Sequence, residues 1–488
     1  MADRLRPQDV AFLSGESSTT PMHVGTLEIF QSPADGFDYE RLVGLIADRI
    51  AYVPRYRQRV RKVPGRLANP VWLDDQEFDL TFHVRRSALP RPGSMGQLRA
   101  LVARIMSRRL DRHRPLWETY LVEGLEHDRF AVMSKTHQVL VDGSSTVDLG
   151  QLVLDVTPEP PETPSVSWAA RSTPSSAGLV VRAVADSLRR PTTAVDAASA
   201  GVADLRRTAT RVMGFVDDVS SAFGAPGGAV ASPLNAPLSE QRRFLTLATA
   251  LGDYRRVRDA HGGTINDVVL AAVAGGLRDW LLTRGEPVRS STRIKALVPM
   301  SVLADDEEPT SLGAQVQAQV IDLPVGESNP VVRLHQVSYA LQAHQETGRA
   351  VSASRLTGLA GFAPTTFHVL GARVAASYPS RSHNLVITNV PGPQFPLYAA
   401  GARMLASYPV VPLAAGQALA VGVTSYDGNV FYGLNADRDA MSDVAVVADC
   451  VSQAVAELVD TTTSSRAQAP RSRTRVARKT TKHSSREQ

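Results

Sequence analysis

Pro158, Pro160, Pro161, Pro164 and Pro174 fall within residues 157–176, a stretch otherwise rich in serine and threonine. Proline has no backbone N–H and a fixed φ, so neither a helix interior nor a central strand tolerates such a run. The segment reads as a connector, and whatever this chain folds into has to be built in parts on either side of it. Before it, Leu42, Leu45, Ile46 and Ile50 recur at helical spacing over residues 38–50, residues 24–30 alternate like a strand, and Leu98, Leu101, Ile105 and Met106 mark a helix over 97–110. After residue 234 the pattern predicts a long helix over 266–282 and strands at 294–298, 315–321, 385–390 and 418–424, separated by Gly/Pro punctuation. The expected fold class is α/β, in the mixed α+β sense. Its predicted parts are 1–158, a connector with amphipathic helices over 159–233, a second unit over 234–460 and a tail over 461–488.

Two helical stretches follow the connector, at residues 179–188 and 205–223. In the second, Val212, Phe215, Val216, Val219 and Phe223 form an apolar stripe near Arg206, Arg207 and Arg211. A basic amphipathic helix can lie on a membrane or lipid-droplet surface, though such stripes more often pack against their own protein.

The 488 residues, 43% of them hydrophobic, suffice for two to three domains with real cores. No uninterrupted apolar segment reaches the roughly 18 to 20 residues of a membrane-spanning helix. The start, with Asp3, Arg4, Arg6 and Asp9, has no apolar region of the secretory-signal kind. Cys450, the single cysteine, cannot form an internal disulfide and leaves no thiolate cluster for zinc, so a cytoplasmic protein without a metal is expected. It lies in the apolar run 444–451 and reads as a core side chain rather than a nucleophile. The net charge of +5 misdescribes the body of the chain, because Arg466, Arg471, Arg473, Arg475, Arg478, Lys479, Lys482 and Arg486 oppose only Glu487 near the end. That tail lacks the apolar surface to fold and reads as disordered. It could attract anionic lipid or, less in keeping with the rest of the chain, nucleic acid.

The segment that carries chemistry is Lys135-Thr136-His137-Gln138-Val139-Leu140-Val141-Asp142-Gly143. The preceding Phe130-Ala131-Val132-Met133 suits a buried strand, and Asp142-Gly143-Ser144-Ser145 is turn and helix-cap chemistry. A histidine and a glutamine therefore stand where a strand leaves the core, a rigid but accessible position.

This motif resembles the His-His-x-x-x-Asp-Gly signature of the bacterial wax ester synthase/diacylglycerol acyltransferase family, with His137 as the first histidine and Gln138 in place of the second. Further landmarks fall in the family's order over roughly residues 1–458. The opening Leu5-Arg6-Pro7-Gln8-Asp9-Val10-Ala11-Phe12-Leu13 departs from it at Arg6 and Gln8, and Pro115-Leu116-Trp117-Glu118, Asn266-Asp267, Asn389-Val390-Pro391-Gly392-Pro393 and Ser425-Tyr426-Asp427-Gly428 match it. The resemblance implies two chloramphenicol acetyltransferase-like subdomains, each a mixed sheet with helices, with the active-site channel between them. It implies acyl transfer from acyl-CoA, a substrate rather than a resident cofactor, to diacylglycerol or a long-chain alcohol. The second histidine of the motif would be the general base, Asp142 would hold the turn, and Gly143 would allow close backbone approach or positive φ.

The departure at Gln138 bears on activity, since an amide cannot relay a proton and general base catalysis is worth about 100- to 10,000-fold. If the chain is still extended there, adjacent side chains point to opposite faces, so His137 faces away from Gln138 and is expected to be structural unless a bulge turns it inward. Asn266 reads as a helix N-cap with Asp267 in the first turn, or alternatively as a contact to the acyl-CoA. Ala314 in Ser311-Leu312-Gly313-Ala314 stands where the family usually has asparagine. The absence of Gly-x-Ser-x-Gly argues against a serine hydrolase, and the absence of a P-loop against phosphate-loop chemistry.

The expected function is an acyl-CoA-dependent O-acyltransferase making triacylglycerol and wax ester, peripheral on the inner membrane surface or on lipid inclusions. Two alternatives stand beside it: a weakened relative that binds acyl-CoA or lipid without efficient turnover, and a condensation-type acyltransferase using carrier-bound donors.

Overall fold

The computed structural model describes residues 3–66, 68–140, 149–159, 168–175, 177–178, 180–181, 232–301, 316–347, 368, 370–373 and 382–467. The first part contains strands β1 (Asp3–Arg4), β2 (His23–Gln31), β3 (Gln58–Arg61), β4 (Val71–Asp74), β5 (Val84–Ala88), β6 (Trp117–Leu125) and β7 (Arg129–His137). Its helices are α1 (Pro7–Gly15), α2 (Tyr39–Ile50), α3 (Leu80–His83), α4 (Met95–Ser107) and α5 (Leu149–Val153). The second part supplies β8 (Arg242–Ala250), β9 (Ile294–Ser301), β10 (Val316–Leu323), β11 (Leu385–Pro391), β12 (Tyr398–Ala399), β13 (Ala402–Val410), β14 (Leu419–Tyr426) and β15 (Asn429–Asp437). Helices α6 (Leu251–His261), α7 (Ile265–Thr283), α8 (Pro330–Thr347) and α9 (Val444–Ala467) complete it.

These strands make two mixed six-stranded sheets, ordered β12-β13-β2-β7-β6-β5 and β10-β9-β11-β14-β15-β8, and a small sheet ordered β1-β4-β3. β7 is antiparallel to both β2 and β6, which cover its edges, and from Phe130 to His137 each residue is buried, without alternation, so both of its faces are covered as well. Helix starts follow cap chemistry. Asp38 accepts the Arg41 N–H at the head of α2, and Ser94 with Gln97 forms a capping box on α4.

The two parts are joined by a strand that crosses over. β13, from the second part, pairs antiparallel with β2 of the first sheet, placing Tyr408 opposite Leu27 and Val410 opposite Gly25. Its Pro409 also lies against β14 and β15, where two residues without side chains make room. A Cβ at Gly433 would stand 1.9 Å from the Pro409 carbonyl oxygen, and one at Gly422 2.8 Å from the Pro409 Cβ. Arg242, at the start of β8, clamps the same seam: its backbone N–H donates to Ser107 Oγ at 3.0 Å, and its buried guanidinium pairs with Asp437 at 3.3 Å and donates to the Thr19 carbonyl.

Each sheet has its own apolar core, and a third cluster spans the seam, gathering Val24 of β2 with Leu370, Ala372, Val386, Val411 and Ala420. Cys450 is buried within α9. That helix continues to Ala467, so the first residues of the stretch assigned to the tail are helical. The amphipathic stretch 205–223 and residues 468–488 lie outside the described residues. Among the described residues no helix is long and apolar enough to cross a membrane, and no group of three or more potential ligands could hold a metal ion.

Candidate active site

β7 ends at His137, whose side chain takes the α4 side of the first sheet. Two positions earlier Lys135 points the same way and donates to the Ile105 carbonyl at 2.9 Å, while His23, directly opposite His137 in register, has Nε2 2.8 Å from the Met106 carbonyl. One nitrogen of the His137 imidazole is committed to the fold, while Nε2 is buried without a hydrogen-bond partner among the described residues. Its Nδ1 accepts the Val139 N–H at 3.2 Å, so the neutral ring carries its proton on Nε2, which stands 3.9 Å from Glu16 Oε2. Glu16 is itself held by Arg112 Nε at 3.1 Å and by the Met22 N–H at 3.3 Å. Burial pushes the His137 pKa down to about 4, Glu16 offsetting only part of that, and the ring is neutral at pH 7. Its one basic lone pair is therefore occupied.

Gln138 opens a 3-10 turn (Gln138–Leu140), and its backbone is gripped from both parts of the chain. Its N–H donates to the Met22 carbonyl at 3.0 Å, and its carbonyl accepts from Arg373 Nη1 at 2.7 Å. The other arm of Arg373 meets Asp9 Oδ1 at 2.5 Å, Asp9 also accepts from Arg6 Nε at 3.2 Å, and the guanidinium lies over Phe12. The opening motif thus serves to anchor the histidine turn to the second part. The side-chain amide of Gln138 is buried, and neither its Oε1 nor its Nε2 has a hydrogen-bond partner among the described residues. Unmet buried polar groups are costly, and both polar atoms of this amide are open to a ligand's polar groups.

Asp142 and Gly143 lie outside the described residues, as do Ser311 to Ala314. Asn266 is not the N-cap of α7 that its position suggested. The cap is Thr264, whose Oγ1 accepts the Asp267 N–H at 3.2 Å while the Asp267 carboxylate accepts the Thr264 N–H at 2.9 Å. Thr264 wins because the glycines before it, at φ 81° and 83°, turn the chain into the helix two residues ahead of Asn266. Asp267 also accepts from Ser338 at 2.8 Å, so its carboxylate is committed to the fold, and Asn266 Oδ1 accepts from Asn389 Nδ2 at 2.9 Å.

The two late motifs close on each other. The Asp427 N–H donates to the Pro393 carbonyl at 3.0 Å, and a Cβ at Gly392 would fall 2.2 Å from the Ser425 carbonyl oxygen. Trp117 packs the core, stacked on His83 and donating from Nε1 to the Tyr56 carbonyl at 2.8 Å.

Sequence reasoning missed Arg373 and His368. Both come from a short helical stretch of the second part that packs at the seam, where Leu370 and Ala372 meet Val24. His368 Nδ1 lies 2.8 Å from Thr388 Oγ1, and its buried Nε2 has no partner among the described residues. No local pattern around either residue marks it.

Two mixed sheets, the first completed by a strand that crosses over from the second part of the chain, with a strand-end histidine motif buried at their seam, define a two-subdomain acyltransferase of the chloramphenicol acetyltransferase type. The wax ester synthase/diacylglycerol acyltransferase catalytic domain model matches residues 5–269, and the C-terminal domain model of the same family matches residues 312–459. A probable diacylglycerol O-acyltransferase of Mycobacterium tuberculosis, tgs1, is 33% identical over 94% of this chain and 96% of its own. A second from that organism, tgs3, is 44% identical over 53% of this chain and 96% of its own. The solved wax ester synthase/diacylglycerol acyltransferase of Marinobacter aquaeolei superposes with a TM-score of 0.66 at 27% identity, over 94% of this chain and 100% of that one. The chain belongs to the wax ester synthase/diacylglycerol acyltransferase family, and it is an acyltransferase.

Proposed function

We propose that this protein moves a fatty acyl group from acyl-CoA to the free hydroxyl of diacylglycerol, forming triacylglycerol, and to a long-chain alcohol, forming wax ester. The alcohol oxygen attacks the thioester carbonyl, the tetrahedral intermediate collapses, and the thiolate of CoA leaves. Both substrates occupy the seam together, so no acyl-enzyme forms.

The observation that carries the reading is the contrast at the strand end. The lone pair of His137 is taken by the Val139 N–H, while the Gln138 amide is buried with both polar atoms unmet. Gln138 thus orients a substrate oxygen by hydrogen bonding, and His137 holds the turn that presents it. Asp142 and Gly143 keep, in this proposal, the turn-holding roles that the family resemblance implies. Asn266 is hydrogen-bonded to Asn389, and Asp267 acts through the helix cap, which leaves neither as the main acyl-CoA contact in this proposal.

We also place the protein in the cytoplasm, peripheral on the inner membrane surface or on lipid inclusions, where its substrates reside. Purified protein incubated with radiolabelled acyl-CoA and diacylglycerol tests the proposal. Labelled triacylglycerol supports it, and retained acyl-CoA without product identifies the weakened, binding-only relative. Transfer from an acyl carrier protein but not from free acyl-CoA identifies a condensation-type enzyme.

A further inference from the structure

We propose that His368 takes the proton from the acceptor hydroxyl, supplying from the second part of the chain the base that the strand-end motif lacks. The inference rests on the reading of this protein as an acyltransferase that turns over.

Placement comes first. The helical residues around His368 lie at the seam: Leu370 and Ala372 cluster with Val24 of β2, and Arg373 donates to the Gln138 carbonyl at 2.7 Å. Val24 pairs in register with Thr136, one residue before His137, and alternation puts it on the face opposite His23 and His137. The stretch that carries His368 thus meets the first sheet on the face that His137 leaves.

The ring is prepared on one side and unused on the other. Thr388 Oγ1 stands 2.8 Å from Nδ1 and fixes the ring's orientation, and Thr388 is itself buried in β11. When Nδ1–H donates to that hydroxyl, the lone pair of the neutral ring lies on Nε2, which is buried and unpartnered among the described residues. This is the base-and-orienter arrangement of general-base catalysis, with a hydroxyl as the orienter. His23, His83 and His383 also have one buried ring nitrogen without a partner among the described residues; what singles His368 out is its place on the helical stretch whose Arg373 grips the Gln138 carbonyl.

The step balances without a further reactant. Nε2 accepts the hydroxyl proton as the oxygen–carbon bond forms at the thioester carbonyl. On collapse the carbon–sulfur bond breaks, and the same proton leaves on the CoA thiol. Burial holds the ring's pKa down to about 3, so it is uncharged at physiological pH and its lone pair is available. A base so depressed is weaker than an imidazole titrating near 7, and slower turnover than in a relative with both motif histidines follows.

The test is a double-mutant cycle on the full-length protein, measuring triacylglycerol formation from acyl-CoA and diacylglycerol. Asparagine at 368 can keep the bond to Thr388 but has no atom in place of Nε2. His368→Asn is expected to lower kcat about 100-fold with acyl-CoA binding retained. In a Gln138→His background, where position 138 again supplies a base, the same substitution is expected to cost less than about 3-fold. Equal losses in the two backgrounds would show a structural role only and overturn the proposal, as would a folded His368→Asn within twofold of wild type. Should His368→Asn not fold, Thr388→Val removes the orienting hydroxyl and is expected to lower kcat about 10-fold with Gln138 present and much less with histidine at 138; equal effects overturn the proposal. A wild-type protein with no turnover at all defeats the acyltransferase reading instead, a distinct outcome.

Discussion

The guanidinium of Arg373 donates to the backbone carbonyl of Gln138 at 2.7 Å, and its other arm reaches Asp9. One side chain thereby joins three distant segments: the opening motif, the strand-end turn and the helical stretch that carries His368. The geometry of the site depends on that junction.

Removing Arg373 strands a buried carboxylate. Arg373→Ala is expected to destabilise the protein by about 3 kcal/mol, at the low end for a broken buried pair because Arg6 still faces Asp9. Denaturant melts measure it, and a loss below about 1 kcal/mol would mean the junction is not what holds the turn.

Restoring the missing base should raise the rate. Gln138→His is expected to increase kcat for triacylglycerol formation by at least about 10-fold, with KM for acyl-CoA little changed. A rise in KM alone would place residue 138 away from the reacting atoms.

His137 should behave as a structural residue. His137→Ala leaves the buried Val139 N–H without its acceptor, a loss of about 1–3 kcal/mol in stability. His137→Asn, whose Oδ1 can accept the same N–H, should recover most of it and retain turnover; a folded His137→Asn with turnover abolished would restore a catalytic role to the histidine.

Stability should fall on acidification. Burial, the leading cause for both, sets His137 at about 4 and His368 at about 3, against about 6.5 in the unfolded chain. The unfolded state then binds more protons below pH 6.5, and the neutral-ring stabilisation present above that pH is lost as pH falls to about 4 for His137 and about 3 for His368. At pH 5.5 the two rings together cost about 2–3 kcal/mol relative to pH 7. Replacing either with glutamine should flatten the dependence of melting temperature on pH between 7 and 5, and an unchanged slope would mean the rings are not buried neutral.

The strand that joins the two parts depends on Gly433. Gly433→Ala drives a methyl group onto the Pro409 carbonyl oxygen, and a loss of about 3 kcal/mol is expected, read by calorimetry. A neutral outcome would show β13 free to move off β15.

What the sequence made legible was local. The apolar run before His137 announces β7, and the periodicity over 266–282 announces α7, because burial of one face or one strand writes itself into neighbouring residues. The true cap was also present in the letters, as Thr264 three residues before Asp267, but Asn266 offered a competing cap. The pairing of β13 with β2 was not legible, since nothing within residues 402–410 names a partner so distant in the chain. The same holds for Arg373 and His368, whose roles arise from where the second part sets them down. His137 takes the α4 side, but the expectation that Gln138 faces away from it assumed an extended chain, and Gln138 opens a 3-10 turn instead, a turn that no apolar pattern in the segment announced.

The most direct test of the account follows labelled acyl-CoA and diacylglycerol through the wild-type protein, measuring triacylglycerol formed and free CoA released. The account predicts slow formation of the two in equal amounts. Acyl-CoA held by the protein, with neither ester nor free CoA appearing, would contradict it.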